Sequence, residues 1–212
     1  MFDVRSTLHP SREKIMGQDA IYSEAIERFG ELFRRAADGP NHEPAAVTLA
    51  TSDADGHPSA RIVLLRRFDE RGFVFFTNSR SRKGQELESN PQAALCFYWD
   101  FLGDQIRIEG KSEQVADEES DDYWLHRPRE SRIGAWASQQ SERLNDRNTL
   151  DSEIELITEK YSNQEVSRPP HWYGYRVVPN RIEFWQEGAH RVHTRTVYQH
   201  TAAGWEKFSV YP

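Results

Sequence analysis

The sequence predicts a β-rich α+β protein whose strands close as a barrel, with helices at its periphery. Three observations carry this. Short runs rich in β-branched and aromatic residues, separated by turn-forming clusters, fill residues 46 to 115 and return from His171 to the C-terminus. Helical periodicity is confined to one segment near the N-terminus and to the middle third of the chain. No repeat, low-complexity tract or linker divides the 212 residues, so 19–212 reads as one domain behind a loose arm, 1–18. Strands in two blocks with helices between them are most simply closed as a barrel.

The elements follow in order. Tyr22, Ala25, Ile26, Phe29, Leu32, Phe33 and Ala36 recur three and four residues apart, one apolar stripe of a helix. Asp19 is placed to cap its start and Gly39-Pro40 to end it. A meander of antiparallel strands is expected next: Ala46 to Thr51, Ser59 to Arg67 and Phe73 to Thr77, turning at Ser52–Gly56 and Asp69–Gly72. Their continuous apolar runs predict burial on both faces. A short helix from Arg82 to Ser89 stops at Asn90-Pro91, and strands follow at Ala93 to Trp99 and Gln105 to Val115. Asp117 to Asp122 holds five acids in six residues, which reads as the solvated first turn of a helix, where the dipole favours negative charge. Helical segments continue to about Ala137 and resume from about Asn148 to Tyr161. Arg168-Pro169-Pro170 breaks the chain, and strands return at His171 to Val178, Ile182 to Gln186, Arg191 to His200 and Glu206 to Val210.

Composition excludes several classes of function. The net charge of -7 argues against general nucleic-acid or anionic-membrane binding. No run approaches the ~20 apolar residues of a membrane span, and the first 14 residues lack the apolar core of a signal peptide; a cytoplasmic protein is expected. The single Cys96 excludes a disulfide framework and a multi-cysteine zinc site, and its apolar neighbours make it a small core residue. His190 and His193 lack an acidic or thiol partner nearby, so no metal site is expected. Glycine-rich nucleotide loops are absent, so redox or group-transfer chemistry requires a bound organic cofactor. Charge is nevertheless uneven. Residues 61 to 83 hold Arg61, Arg66, Arg67, Arg71, Arg80, Arg82 and Lys83 against Asp69 and Glu70. Seven basic residues against two acidic ones give +5, which leaves -12 for the rest of a chain whose total is -7. A local cationic patch on an acidic chain suits a small anionic ligand.

Two further segments stand out. Trp124 to Trp136 packs Arg127, Arg129, Arg132 and Ser131 between two tryptophans. Ile182 to Arg195 ends in Arg191-Val192-His193-Thr194-Arg195, which as a strand would set Arg191, His193 and Arg195 on one face around an anion. With Arg61-Ile62-Val63-Leu64-Leu65, Phe76-Thr77, Ser81-Arg82-Lys83 and Gln105 to Gly110, these motifs resemble, in order, those of the flavin-dependent pyridoxine/pyridoxamine 5′-phosphate oxidase family. The resemblance runs from about Pro44 to the C-terminus.

The resemblance implies an FMN-binding split β-barrel, a homodimer with FMN at the subunit interface. It implies that Arg61, Ile62, Val63, Leu64, Leu65 and Arg66 run along the flavin. Phe76, Thr77, Ser81, Arg82 and Lys83 would hold the ribityl phosphate end. Gln105, Gln140, Ser141, Trp185 and Arg195 would complete the pocket, partly from the second subunit. Arginine forks and a lysine point charge suit a phosphate dianion. The substrate pocket would comprise Arg66, Tyr123, Arg127, Ser131, Arg191 and His193, with the middle three on a substrate phosphate and the last two over its ring. The implied reaction is hydride transfer to flavin N5 and reoxidation by O2, giving H2O2.

Departures from the vitamin B6 enzymes gather on the substrate side and at the termini. Arg66 stands for a lysine and Thr194 for an aspartate; Asp104 stands where a basic residue is common. The N-terminal arm and the ending Phe208 to Pro212 also differ. This pattern favours the branch of the family that oxidises reduced phenazine carboxylates, small anionic heterocycles, in phenazine biosynthesis. The retained Tyr123, Arg127 and Ser131 favour the alternative, oxidation of a B6 phosphate. A non-catalytic FMN-binding protein is the third reading.

Overall fold

The computed structural model describes residues 20–40 and 43–212. The expected arm, 1–18, and the Asp19 cap lie outside these residues. Helix α1 (Ala20–Asp38) turns its apolar stripe inward, burying Phe29 and Phe33 against Phe68, Phe73, Phe97 and Trp99. This aromatic cluster is the centre of the main core.

Nine strands form one antiparallel sheet. They are β1 (Ala46–Ser52), β2 (Pro58–Leu64), β3 (Arg67–Asp69), β4 (Gly72–Asn78), β5 (Gln92–Trp99), β6 (Asp104–Gln114), β7 (Trp172–Gln186), β8 (Thr194–Thr201) and β9 (Gly204–Ser209). The main path is β2-β1-β5-β6-β7-β4-β3, and β8 and β9 extend from β7. Among the described residues the helices are α1, α2 (Arg82–Ser89), α3 (Asp117–Leu125), α4 (Arg129–Ala137) and α5 (Arg147–Lys160).

The strand expected from Ser59 to Arg67 divides. The Leu65 amide donates to Ala45 beside β1, whereas the Arg66 amide donates to Val74 in β4, 2.8 Å away. Two successive amides thus serve different neighbours, and that bend passes the chain from one edge of the sheet to the other and closes the barrel. Burial on both faces holds for β4 but not for β1 or β2, whose residues alternate. The apolar runs there include small residues, Ala46, Ala50 and Ala60, on the outward side.

The two strands expected on either side of Pro179-Asn180 are one, β7. A register shift at Glu109/Gly110 of β6 accommodates the proline. A Cβ at Gly110 would lie 2.0 Å from the Val178 carbonyl oxygen. The first half of β7 pairs with β4, its second half with β8, and β6 runs along most of its length.

The acidic run that begins α3 is not simply solvated. Arg168 donates to Asp117 and Asp121 at 2.6 Å each, Arg176 donates to both carboxylate oxygens of Glu119, and Arg67 pairs with Asp122. The Gly174 amide donates to Ser120 Oγ at 3.1 Å. Ion pairs therefore fasten α3 across β7 and the start of β3. Cys96 sits half-buried on the outward side of β5 rather than within the core, and burial raises its thiol pKa.

Candidate active site

A buried carboxylate organises the first cluster. Ser81 caps α2, accepting from the Gly84 amide, and the first turn presents Arg82 and Lys83. Glu86, one turn later, points into the barrel wall and is 4 % exposed. It accepts from Thr51 (2.6 Å), Ser59 (2.7 Å), Arg61 (3.0 Å) and Arg82 (2.8 Å). Burial alone would raise its pKa; these four donors outweigh that and hold it at about 2. Arg61, on β2, also donates to Thr51 and Ser59.

Lys83 lies beside this network. Its Nζ donates to Thr77 Oγ1 (3.2 Å), Ser81 Oγ (3.2 Å) and Gln140 Oε1 (3.1 Å), all neutral oxygens. Burial and the nearby Arg61 pull its pKa down to about 8. Arg61, Thr77, Ser81, Arg82, Lys83 and Gln140 are thus brought together, although the resemblance assigned Arg61 to the flavin's length and Gln140 to the remainder of the pocket. Ser141 follows Gln140 in an exposed loop with a φ of 76°. Along β2 the outcome is mixed: Ile62 is 62 % exposed, Val63 packs against the core, and Leu65 is buried. Glu86, Thr51 and Ser59 were missed by sequence reasoning; only the four-residue spacing of Arg82 and Glu86 on a helix could have signalled them.

A stack of rings lies next along β4. Phe76, Tyr123 and Trp172 are mutually parallel, with centroids 4.0 Å (Phe76–Tyr123), 5.3 Å (Phe76–Trp172) and 5.9 Å (Tyr123–Trp172) apart. Arg127 lies 4.9 Å over the Trp172 ring. Burial lowers the Arg127 pKa, the Tyr123 hydroxyl opposes that, and the charge of nearby Arg66 adds to it. Arg127 Nε is buried without a hydrogen-bond partner among the described residues. Phe76, Thr77, Arg127, Ser131, Gln140 and Trp172 are among the residues lining one cleft of about 330 Å³.

The remaining predicted residues lie on β6, β7 and β8. Gln105 pairs with Trp185, and Trp185 with Arg195, so the three form one row across the sheet. Arg195 is aimed by Glu183, which is 2 % exposed and accepts from it at 2.8 Å. Burial opposes ionisation of Glu183, but Arg195, Arg107 and Arg181 hold its pKa below the usual carboxylate range. The strand expected from Arg191 does not form. Ala189–Arg191 is a single 3-10 turn, His190 and Arg191 have φ of 57° and 63°, and β8 begins at Thr194. The turn is required because the chain doubles back: a Cβ at Gly188 would lie 1.9 Å from the Val192 carbonyl oxygen. Arg191, His193 and Arg195 therefore do not share a strand face. His193 folds over the Trp185 ring at 4.5 Å, and its Nδ1 accepts from the Gly188 amide at 3.2 Å. Arg191 is exposed at the tip of the turn.

Residues 35–161 match the family model described as pyridoxamine 5′-phosphate oxidase, and residues 172–212 match the pyridoxine 5′-phosphate oxidase C-terminal dimerisation region. The chain belongs to the pyridoxamine 5′-phosphate oxidase family. A pyridoxine/pyridoxamine 5′-phosphate oxidase of Myxococcus xanthus (strain DK1622) is 50% identical over 192 residues, 91% of this chain and 93% of the relative. One of Trichormus variabilis is 53% identical over 178 residues, 84% of this chain and 83% of the relative. Among solved structures, PhzG from Burkholderia lata 383 in complex with tetrahydrophenazine-1-carboxylic acid is 30% identical. It matches with a TM-score of 0.84 over 94% of this chain and 100% of that one. An FMN-binding protein of Nostoc punctiforme, 16% identical with a TM-score of 0.70 over 88% of this chain and 96% of that one, shares the split-barrel fold.

As a member of this oxidase family the chain is an FMN-dependent oxidoreductase. Its own residues fit the cofactor. A half-buried ammonium whose acceptors are all neutral, flanked by two guanidinium groups, has the chemistry of a phosphate cradle. Among the described residues, no helix is long and apolar enough to cross a membrane.

Proposed function

We propose that the protein is a pyridoxine/pyridoxamine 5′-phosphate oxidase, forming pyridoxal 5′-phosphate and H2O2 with O2 as acceptor. The observation that carries this is a second anion site apart from the Lys83 cradle. Arg127, with a buried and unpartnered Nε, stands beside Arg66 and near Tyr123 and Ser131. A flavin phosphate accounts for one cationic cluster; a phosphorylated substrate accounts for the other. The names of the relatives at 50% and 53% identity support the same substrate over a phenazine precursor.

Bound FMN supplies a two-electron acceptor that O2 regenerates. In this reading Lys83, Arg61 and Arg82 hold the FMN phosphate, and Phe76 and Thr77 flank the cofactor. Arg66, Tyr123, Arg127 and Ser131 anchor the substrate phosphate, so that proximity and orientation lower the barrier. The substrate carbon gives up a hydride and its exocyclic oxygen or nitrogen a proton. With the amine substrate the oxidised product is an imine, which water hydrolyses to the aldehyde with release of ammonia. His193, whose Nδ1 is committed to the Gly188 amide, has Nε2 left to face a substrate ring. The row Gln105–Trp185–Arg195 lies on β6 to β8, whereas the phosphate cradle lies on β2, β4 and α2. A homodimer that sets one chain's row against its partner's cradle unites them, in keeping with the matched dimerisation region.

The test is an aerobic assay of FMN-loaded protein with pyridoxine 5′-phosphate and pyridoxamine 5′-phosphate, following pyridoxal 5′-phosphate and peroxide together. Stoichiometric production of both is expected. Flavin-loaded protein that turns over neither substrate would overturn the reading. One second reading has a specific observation behind it. The relative of known structure bound to a tetrahydrophenazine carboxylate is 30% identical, and arginine at position 66 can fork onto a carboxylate as well as a phosphate. In that event reduced phenazine carboxylates are the substrates to assay.

A further inference from the structure

The acidic start of α3 resembled a solvated helix end in sequence, yet its acids reach across to β3 and β7. Asp122 is the acid that directly precedes Tyr123 in the chain. It pairs with Arg67 at the first residue of β3. Each partner has a pocket residue as its immediate neighbour in the chain. Arg66 precedes Arg67, and Tyr123 follows Asp122. The pair therefore joins the two walls of the anion site at the point where they approach.

Both walls are otherwise held from behind. The Arg66 backbone is fixed by its amide bond to Val74, and Arg67 stands opposite Val74 in the β3–β4 ladder. Tyr123 is stacked on Phe76, and the Asp122 carbonyl accepts from the His126 ring at 2.7 Å within α3. Arg127 lies one turn beyond Tyr123, with its guanidinium over Trp172. Arg168 and Arg176 hold the first half of α3 by Asp117, Glu119 and Asp121. At the end that carries Tyr123, Trp124 Nε1 donates to the Val166 carbonyl at 2.7 Å, and the Asp122 pair ties that end to β3.

We infer that Arg67 and Asp122 are positioning residues that set the spacing between Arg66 and the Tyr123–Arg127 wall, and so set affinity for the anionic group of the substrate. Neither touches the substrate. The inference rests on the proposed substrate pocket. Arg66 and Arg127 carry like charge, and the Arg67–Asp122 pair ties together the two chain segments that bear Arg66 and Tyr123. The pair is partly exposed, its side chains being 32% and 55% accessible, so a modest effect is expected from it.

The experiment compares FMN-loaded wild type with Asp122→Asn, Arg67→Gln and the double reversal Arg67→Asp with Asp122→Arg. Three readouts are taken: KM and kcat for pyridoxamine 5′-phosphate, FMN affinity, and equilibrium binding of pyridoxal 5′-phosphate against pyridoxal. The expected result is a KM raised about fivefold in each single variant. Binding of pyridoxal 5′-phosphate should weaken equally, while kcat, FMN affinity and pyridoxal binding stay within twofold. The double reversal should recover most of the loss. A general structural weakening would lower FMN affinity and kcat as well, and would not be rescued.

An unchanged KM in folded Asp122→Asn overturns the inference. So does a loss in both single variants that the reversal fails to restore. If Asp122→Asn does not fold, Arg67→Gln and the reversal carry the same comparison. Failure of the function itself is seen elsewhere, in wild type that neither oxidises a B6 phosphate nor binds pyridoxal 5′-phosphate. The comparison is then made with a reduced phenazine carboxylate, whose KM must move in the same direction for the inference to stand.

Discussion

Lys83 is the residue whose chemistry departs most usefully from the ordinary. Its pKa of about 8 arises because burial and Arg61 disfavour the ammonium while its acceptors carry no charge. The unfolded value is 10.5, so folding without FMN releases protons between about pH 8 and 10.5, and the FMN-free protein gains stability as pH rises through that range. Phosphate binding has the opposite sign, since the dianion favours the ammonium. FMN affinity is therefore expected to fall above pH 8, by up to about tenfold per unit, as one proton must be taken up. Flavin fluorescence titrations at several pH values check this, and Lys83→Met should flatten the dependence. The sequence showed a cationic segment from Arg61 to Lys83, and the family resemblance pointed Arg82 and Lys83 at a phosphate. Glu86 was not legible, because a carboxylate inside a cationic cluster looks, in sequence, like one more charge on a helix surface. Its role comes from Thr51 and Ser59, which are 35 and 27 residues away.

At the scale of elements, the crossing of β6 and β7 is the most constrained contact. Gly110 passes against the Val178 carbonyl where the register shifts, and neither backbone has room to retreat within the sheet. Gly110→Ala is expected to destabilise the protein by about 1–3 kcal/mol, the usual cost of overpacking. Thermal or urea unfolding measures it, and a variant as stable as wild type would contradict the assigned packing. The apolar stripe identified α1, the Asn90-Pro91 stop bounded α2, and turn-bounded apolar runs identified most strands. Sequence periodicity erred where backbone geometry prevailed over pattern. Pro179-Asn180 has turn chemistry, but the bulge lets β7 run through it. Arg191 to His193 has the alternation of a strand, but the close approach of Gly188 to Val192 demands a turn. The acids of α3 had no visible partners because Arg168 and Arg176 lie some fifty residues further on.

For the whole molecule, the proposed dimer makes a prediction no single chain can meet. If each site combines the Lys83 cradle of one protomer with the Arg195 row of its partner, two defective chains complement one another. A mixed dimer of Lys83→Met with Arg195→Ala holds one site with both defects and one with neither. Random pairing of co-expressed chains then restores about one quarter of wild-type sites. Activity of the purified mixture measures this, and recovery no greater than that of either variant alone would refute a shared site. The barrel class and the family were legible because several motifs recur in order along most of the chain. The substrate was not, because Arg66 and Thr194 pointed away from a B6 phosphate while Tyr123, Arg127 and Ser131 pointed toward it.

The position of β7 along the chain also governs how the molecule comes into being. It supplies the partner for β4, about a hundred residues earlier, and the second neighbour for β6. Until residues 172–186 have been synthesised, both strands present an open row of amides and carbonyls, and the ring formed by β2, β1, β5 and β6 cannot shut. Closure waits for a late, long-range pairing, the kind that makes folding slow. A chain truncated before Trp172 would keep α1 and the Lys83 cradle in its sequence yet be unable to form a closed barrel.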